Sequence, residues 1–260
     1  MSEQETEGIA PAVRAQRRVD RWFYIGVALL MIVLNVIAFA PSIIDPSMRK
    51  APLPLTPLVT AHAIVSAAWL VLFLAQATLV ATRNVAAHRR IGMFGVALTV
   101  LFIVVGSFSV IGQARRGFDL SGDIDRLSAA PDAIRAAGTV GLLFLFLNFA
   151  IVAGAGLCYR HRPAVHKRLM LLALLGGLTT TPVAHVVGHW AALQPWAGVI
   201  FPISAIVFLS TSAIHDRVSE GRIHPVSIGV PVLWFVWQLV FGLVILPSAM
   251  WQQFAAWLIR

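Results

Sequence analysis

Seven stretches of this chain, 22–44, 57–82, 91–114, 136–159, 169–190, 191 or 197–214, and 225–248, are long, apolar and free of Asp, Glu, Lys and Arg. A bilayer core about 30 Å thick is crossed by about 20 residues of helix, and a helix satisfies its backbone polar groups without water. The stretches therefore predict an all-α, polytopic transmembrane helical bundle of about seven spans. Only 12% of the residues are charged and 58% are hydrophobic, with mean hydropathy +0.82, whereas a soluble domain carries about 25% charged residues. Gln194, Pro195 and Trp196 blur the start of the sixth span.

The net charge of +9 does not signal a nucleic-acid partner, because the basic residues are dispersed in short turns between apolar runs. With the N-terminus inside, the turns 83–90, 160–168 and 215–224 share its side, and thirteen of the twenty Lys and Arg lie there. The positive-inside rule favours that orientation. Residues 1–21 form an inside segment of mixed charge, and the run that follows is too long for a signal-peptide core. The outside loop 113–135 mixes acids and bases and is expected to cap the surface or move. Residues 249–260 space Trp251, Phe254, Trp257 and Leu258 as a short interfacial helix would. The single cysteine, Cys158, excludes an internal disulfide and a cysteine cage.

The turn between spans two and three ends His88-Arg89-Arg90-Ile91, and that between spans four and five ends His166-Lys167-Arg168-Leu169. Both units run in the same sense, giving a weak parallel hairpin repeat and a four-helix core of spans two to five. Spans six and seven form a third hairpin, and span one leads.

With charged residues excluded from these stretches, histidines are the ionisable groups left within them, and such groups are candidates for function. His62 and His185 each lie five residues from an outer span boundary, about 7–8 Å deep at 1.5 Å per residue. His185 and His189 are four apart, so they share a helical face if the helix stays regular beyond Pro182. Three imidazoles from His62, His185 and His189 suit a transition metal, and one from each of two helices suits a haem. His88 and His166, equivalent in the repeat, are candidates for a second haem on the inner side. The alternative is that the histidines are ties, bonded to backbone or to Asn35, Gln76 or Thr179 to Thr181, or that the basic turns hold lipid phosphate. The run Gly176-Gly177, Thr179-Thr180-Thr181, Pro182 predicts close helix approach and a kink.

The pattern His62, Trp69, Gln76, then His88-Arg89-Arg90-Ile91-Gly92, Arg162-Pro163-x-x-His166-Lys167-Arg168-Leu169-Met170 and Gly221-Arg222-Ile223-His224-Pro225 resembles a family of uncharacterised bacterial multi-pass membrane proteins over residues 57–230. More loosely, the core is similar to cytochrome b561-type di-haem four-helix proteins. That resemblance implies haem b, transmembrane electron transfer and a redox partner, in a bacterial inner membrane. Span four lacks a histidine, so pairing would fall to His62 with His185 or His189, and to His88 with His166. Two rivals stand beside it: a small-molecule or lipid-binding carrier or complex subunit with structural histidines, and a zinc hydrolase using the outer histidines. The lack of Asp or Glu in the seven stretches argues against a carboxylate-driven carrier and leaves the hydrolase without a base.

Overall fold

A computed structural model describes residues 3–48, 55–116 and 132–260. Among the described residues there is no strand, and seven helical segments are long and apolar enough to cross a membrane: Trp22–Ile44, Pro57–Ala81, Val85–Arg116, Arg135–Cys158, Pro163–His189, Gln194–Glu220 and Pro225–Ile245. The all-α polytopic bundle expected from the sequence is the fold observed. Most of the loop 113–135, at 117–131, lies outside the described residues.

Helix α1 (Glu3–Ile44) begins well before the apolar run; α2 (Pro57–Ala81) and α3 (Val85–Arg116) follow as single helices. The fourth span is broken at Leu142 into α4 (Asp132–Gly141) and α5 (Leu143–Cys158), and the fifth at Thr179 into α6 (Pro163–Leu178) and α7 (Thr180–His189). Pro182 has no N–H to give the Leu178 carbonyl, and the Thr179 hydroxyl adds a bond of its own to the Leu175 carbonyl at 2.5 Å. At this kink Gly177 faces Phe149 so closely that an added Cβ would lie 2.7 Å from Cδ2 of the ring. The Gly-Thr-Pro run thus produces both the close approach and the bend. The sixth span enters through a 3₁₀ turn, Gln194–Trp196, and continues as α8 (Ala197–Glu220). The seventh is α9 (Pro225–Val240) with a π-helical turn at Phe241–Ile245, before α10 (Ala249–Leu258).

Helix α6 is the axis of the bundle. Leu171 to Leu175 are all nearly inaccessible, together with Met31 of α1, Trp69 of α2, Phe102 of α3, Phe149 of α5 and Leu209 of α8. Apolar residues therefore encircle α6, as expected of a helix enclosed by others rather than by lipid on one side. The hairpin α2/α3 is tied by Trp69, whose indole N–H donates to Thr99 Oγ1 at 3.1 Å. A second small cluster joins α4 to α10 through Ala137, Val140 and Ala255, with Trp251 Nε1 donating to the Ala137 carbonyl at 3.0 Å.

Chain direction puts the α2–α3, α5–α6 and α8–α9 turns at one end of the bundle, with Arg83, Arg89, Arg90, Arg160, Arg162, Arg217 and Arg222 there. We call it the basic end. Two of its turns have a left-handed residue: Arg83 (φ 63°) between α2 and α3, and Gly221 (φ 70°), which stops α8 at no steric cost.

Candidate functional site

Toward the end opposite the basic one, the histidines sit among aromatic rings. His62 of α2 stacks on Phe102 with centroids 6.0 Å apart and meets Phe146 edge-on at 6.1 Å. His185 of α7 is buried against Phe39 at 4.4 Å, and His189 approaches Ser42 Oγ at 3.4 Å. Helix α7 stays regular past Pro182, so His185 and His189 share a face with ring centroids 6.5 Å apart. Among the described residues, no group of three His, Cys, Asp or Glu is arranged to hold a metal ion.

At the basic end, the repeat-equivalent histidines meet. His88, in the first turn of α3, and His166, in the first turn of α6, have ring centroids 6.4 Å apart at an interplanar angle of 78°. Each ring is held through Nδ1. His166 Nδ1–H donates to the Gly156 carbonyl of α5 at 2.7 Å, which leaves Nε2 as the lone-pair nitrogen. On the other side is Gln76 of α2. With its amide oxygen accepting from Gly92 N–H at 2.8 Å, the amide nitrogen donates to the His88 carbonyl at 3.1 Å and to His88 Nδ1 at 2.5 Å. That orientation leaves the proton of neutral His88 on Nε2.

One turn further along α6, the structure corrects the sequence reading. The apolar stretches contain no carboxylate, but helices α6 and α8 run past them, and each carries a buried charge. Arg168 and Asp216 are both 0% exposed. Arg168 Nε donates to Asp216 Oδ1 at 2.9 Å and Oδ2 at 3.0 Å, and its Nη2 lies 2.6 Å from Oδ1. The same Nη2 reaches Glu220 Oε1 at 2.5 Å, while Nη1 donates to the Ala164 carbonyl at 2.6 Å. Asp216 Oδ2 also accepts from Ser227 Oγ at 2.6 Å and from the His224 backbone N–H at 3.1 Å; Ser212 and Ser227 share a bond of 2.8 Å. Lys167 adds an exposed contact to Glu220 at 3.4 Å. The network binds α6, α8 and α9 at one point. Helix α8 therefore continues past Ile214 to Glu220 and carries both acids beyond the apolar stretch.

Arg168 and Asp216 were read as surface charges of turns. One signal in the sequence could have moved them inward: Asp216 and Glu220 are four apart and followed by Gly221, a C-terminal helix signal that extends α8 through both acids. Gln76 is among the polar side chains that the sequence offers as histidine ties, whereas the Gly156 carbonyl carries no such signal, since that contact crosses between helices.

Comparison of the chain with protein-family models, with curated proteins and with solved structures gave no match.

Proposed function

We propose that this membrane protein binds haem b or a transition metal at its basic end, between His88 and His166, and takes part in electron transfer there. The observation that carries this is the 6.4 Å separation of the two rings. Two metal–nitrogen bonds of about 2.0–2.1 Å, plus about 1.1 Å from each nitrogen to its ring centre, place imidazoles on opposite sides of one ion about 6.3 Å apart. A haem held this way supplies a one-electron couple. His166 fits the role as it stands, because its Nδ1–H is spent on Gly156 and Nε2 is left to ligate. His88 fits after one adjustment. Gln76 must turn its amide so that the oxygen accepts Nδ1–H, giving up its bonds to Gly92 N–H and to the His88 carbonyl, a cost of about 1–3 kcal/mol for groups left unsatisfied.

His185 and His189, 6.5 Å apart, are candidates for a second, two-ligand centre at the other end, while His62 packs instead on Phe102 and Phe146. The bacterial inner membrane, a cytoplasmic basic end and a redox partner belong to the same proposal; the excess of Lys and Arg at that end supports the orientation.

The amide orientation of Gln76 favours one rival, in which the histidines are structural ties. His88 Nε2–H then faces the region where His166 presents a lone pair. Absorption spectra of the purified protein, oxidised and reduced, with elemental analysis, separate the two. A Soret band or stoichiometric metal that is lost in His88→Ala and in His166→Ala supports the proposal. A colourless, metal-free protein after haem and metal reconstitution, with the same two variants merely less stable, refutes it.

A further inference from the structure

The first hairpin has an arginine that no acid meets among the described residues. In the repeat, Arg90 stands two residues after His88 as Arg168 stands two after His166. The second hairpin buries its arginine against Asp216 and Glu220 of α8. The corresponding side of α3 is exposed at Phe94, Ala97 and Leu101. Arg90 is exposed, and no hydrogen bond or ion pair joins it to another described residue. On that same face the two helices part into an apolar groove, lined by Ala68, Leu72 and Ala75 of α2 and by Phe94, Ala97 and Leu101 of α3. Small side chains make it. Gly95 lets α3 come in close behind, where an added Cβ would sit 3.2 Å from Leu72 Cδ2, while the alanines leave the outer side unfilled.

Arg90, Phe94, Ala97 and Leu101 follow one another at spacings of four, three and four, which keeps them on one face of α3. Arg90 lies about 6 Å beyond Phe94 toward the basic end. A hydrocarbon slot within a span, closed at its end by an unpaired cation, matches a molecule with an apolar chain and an anionic head.

We propose that the α2/α3 groove binds one anionic phospholipid of the surrounding bilayer, its acyl chain along Ala68 to Leu101 and its phosphate on Arg90. The lipid phosphate takes the place on α3 that Asp216 takes on α6. This site does not depend on a cofactor between His88 and His166: His88 is two residues from Arg90, on the opposite face of α3, and His166 belongs to α6.

The test uses the full chain purified in mild detergent and offered phosphatidylglycerol or phosphatidylcholine, with retained lipids counted by native mass spectrometry. The parent should retain one phosphatidylglycerol in preference to phosphatidylcholine. Arg90→Gln should lower phosphatidylglycerol occupancy about fivefold, the effect of one interfacial charge. The control Arg160→Gln, an exposed arginine in another turn of the same end, should not. Ala97→Phe, at an exposed position where the larger ring disturbs no packing, should fill the slot and remove retention of both lipids. Equal losses in Arg90→Gln and Arg160→Gln would show only general attraction to the basic end and overturn the site. Undiminished retention in Ala97→Phe, or equal retention of the two lipids by the parent, would overturn it as well.

Discussion

Replacing Asp216 by Ala isolates what the buried ion network contributes. The carboxylate accepts from Arg168 through both oxygens, from Ser227 and from the His224 backbone, with no solvent access. Its removal leaves the guanidinium of Arg168 in place, still 0% exposed, with Glu220 and the Ala164 carbonyl as its remaining acceptors. A buried charge stripped of its main partner costs about 3–5 kcal/mol. Desolvation is the reason: the pair's attraction roughly offsets the loss of hydration of both ions, so deleting one leaves the other's penalty uncompensated. The same logic makes the double variant Arg168→Met/Asp216→Leu more stable than Asp216→Ala alone, near the parent or above it. Glu220 differs, since its side chain is 34% exposed; Glu220→Gln should cost no more than about 1 kcal/mol. Reversible unfolding in mixed micelles, followed by tryptophan fluorescence, reads all three. A single Asp216→Ala variant within about 1 kcal/mol of the parent would refute the reasoning, as would a double variant no more stable than the single one.

Three further outcomes follow from the packing. Gly177→Ala should cost about 1–3 kcal/mol, because its Cβ would press on the buried Phe149, whereas Gly26→Ala, with nothing within 4 Å, should be neutral or stabilising by up to about 1 kcal/mol in the same assay. Trp69→Phe should cost about 1 kcal/mol through loss of the indole bond to Thr99. If His88 holds a haem or metal, Gln76→Leu should weaken binding about 10- to 100-fold by removing the group that orients its ring, and Gln76→Glu should strengthen it; titration of the ligand-free protein measures both.

The bundle itself was legible because lipid leaves few choices: stretches without charge had to be helices, and their boundaries in the first five spans agree with the observed helices to within several residues. The kink at Thr179 was legible for a local reason, since Gly, Thr and Pro act on their own backbone. What the sequence concealed depends on partners far apart along the chain. Arg168 meets Asp216 across 48 residues and His166 meets Gly156 around a turn, and neither identity nor spacing distinguishes a charge that folds inward from one that stays in the headgroup layer. The exclusion of charge also cut short the starts of spans three and five and the end of span six. Helices continue into the interface, and it is in those last turns that the buried polar residues lie. The meeting of His88 and His166 was half-legible: the repeat made them equivalent, and only packing of α3 near α6 made them neighbours.

Both polar centres of the basic end are organised by two residues of one helix turn, His166 and Arg168. His166 and Arg168 are two apart on α6, about 200° around its axis, so His166 turns to α5 and α3 while Arg168 turns to α8 and α9. Neither centre can shift without α6, and α6 cannot rotate, because leucines 171, 172, 174 and 175 are packed on every side. The ion network therefore does more than join helices. With Asp216 holding Arg168 on one side and Gly156 holding His166 on the other, the first turns of α6 have a fixed rotation, and the His88–His166 spacing is fixed with it. Disturbance of Asp216 should accordingly be felt at the histidine pair, although the bonds of that carboxylate run to Arg168, Ser227 and the His224 backbone.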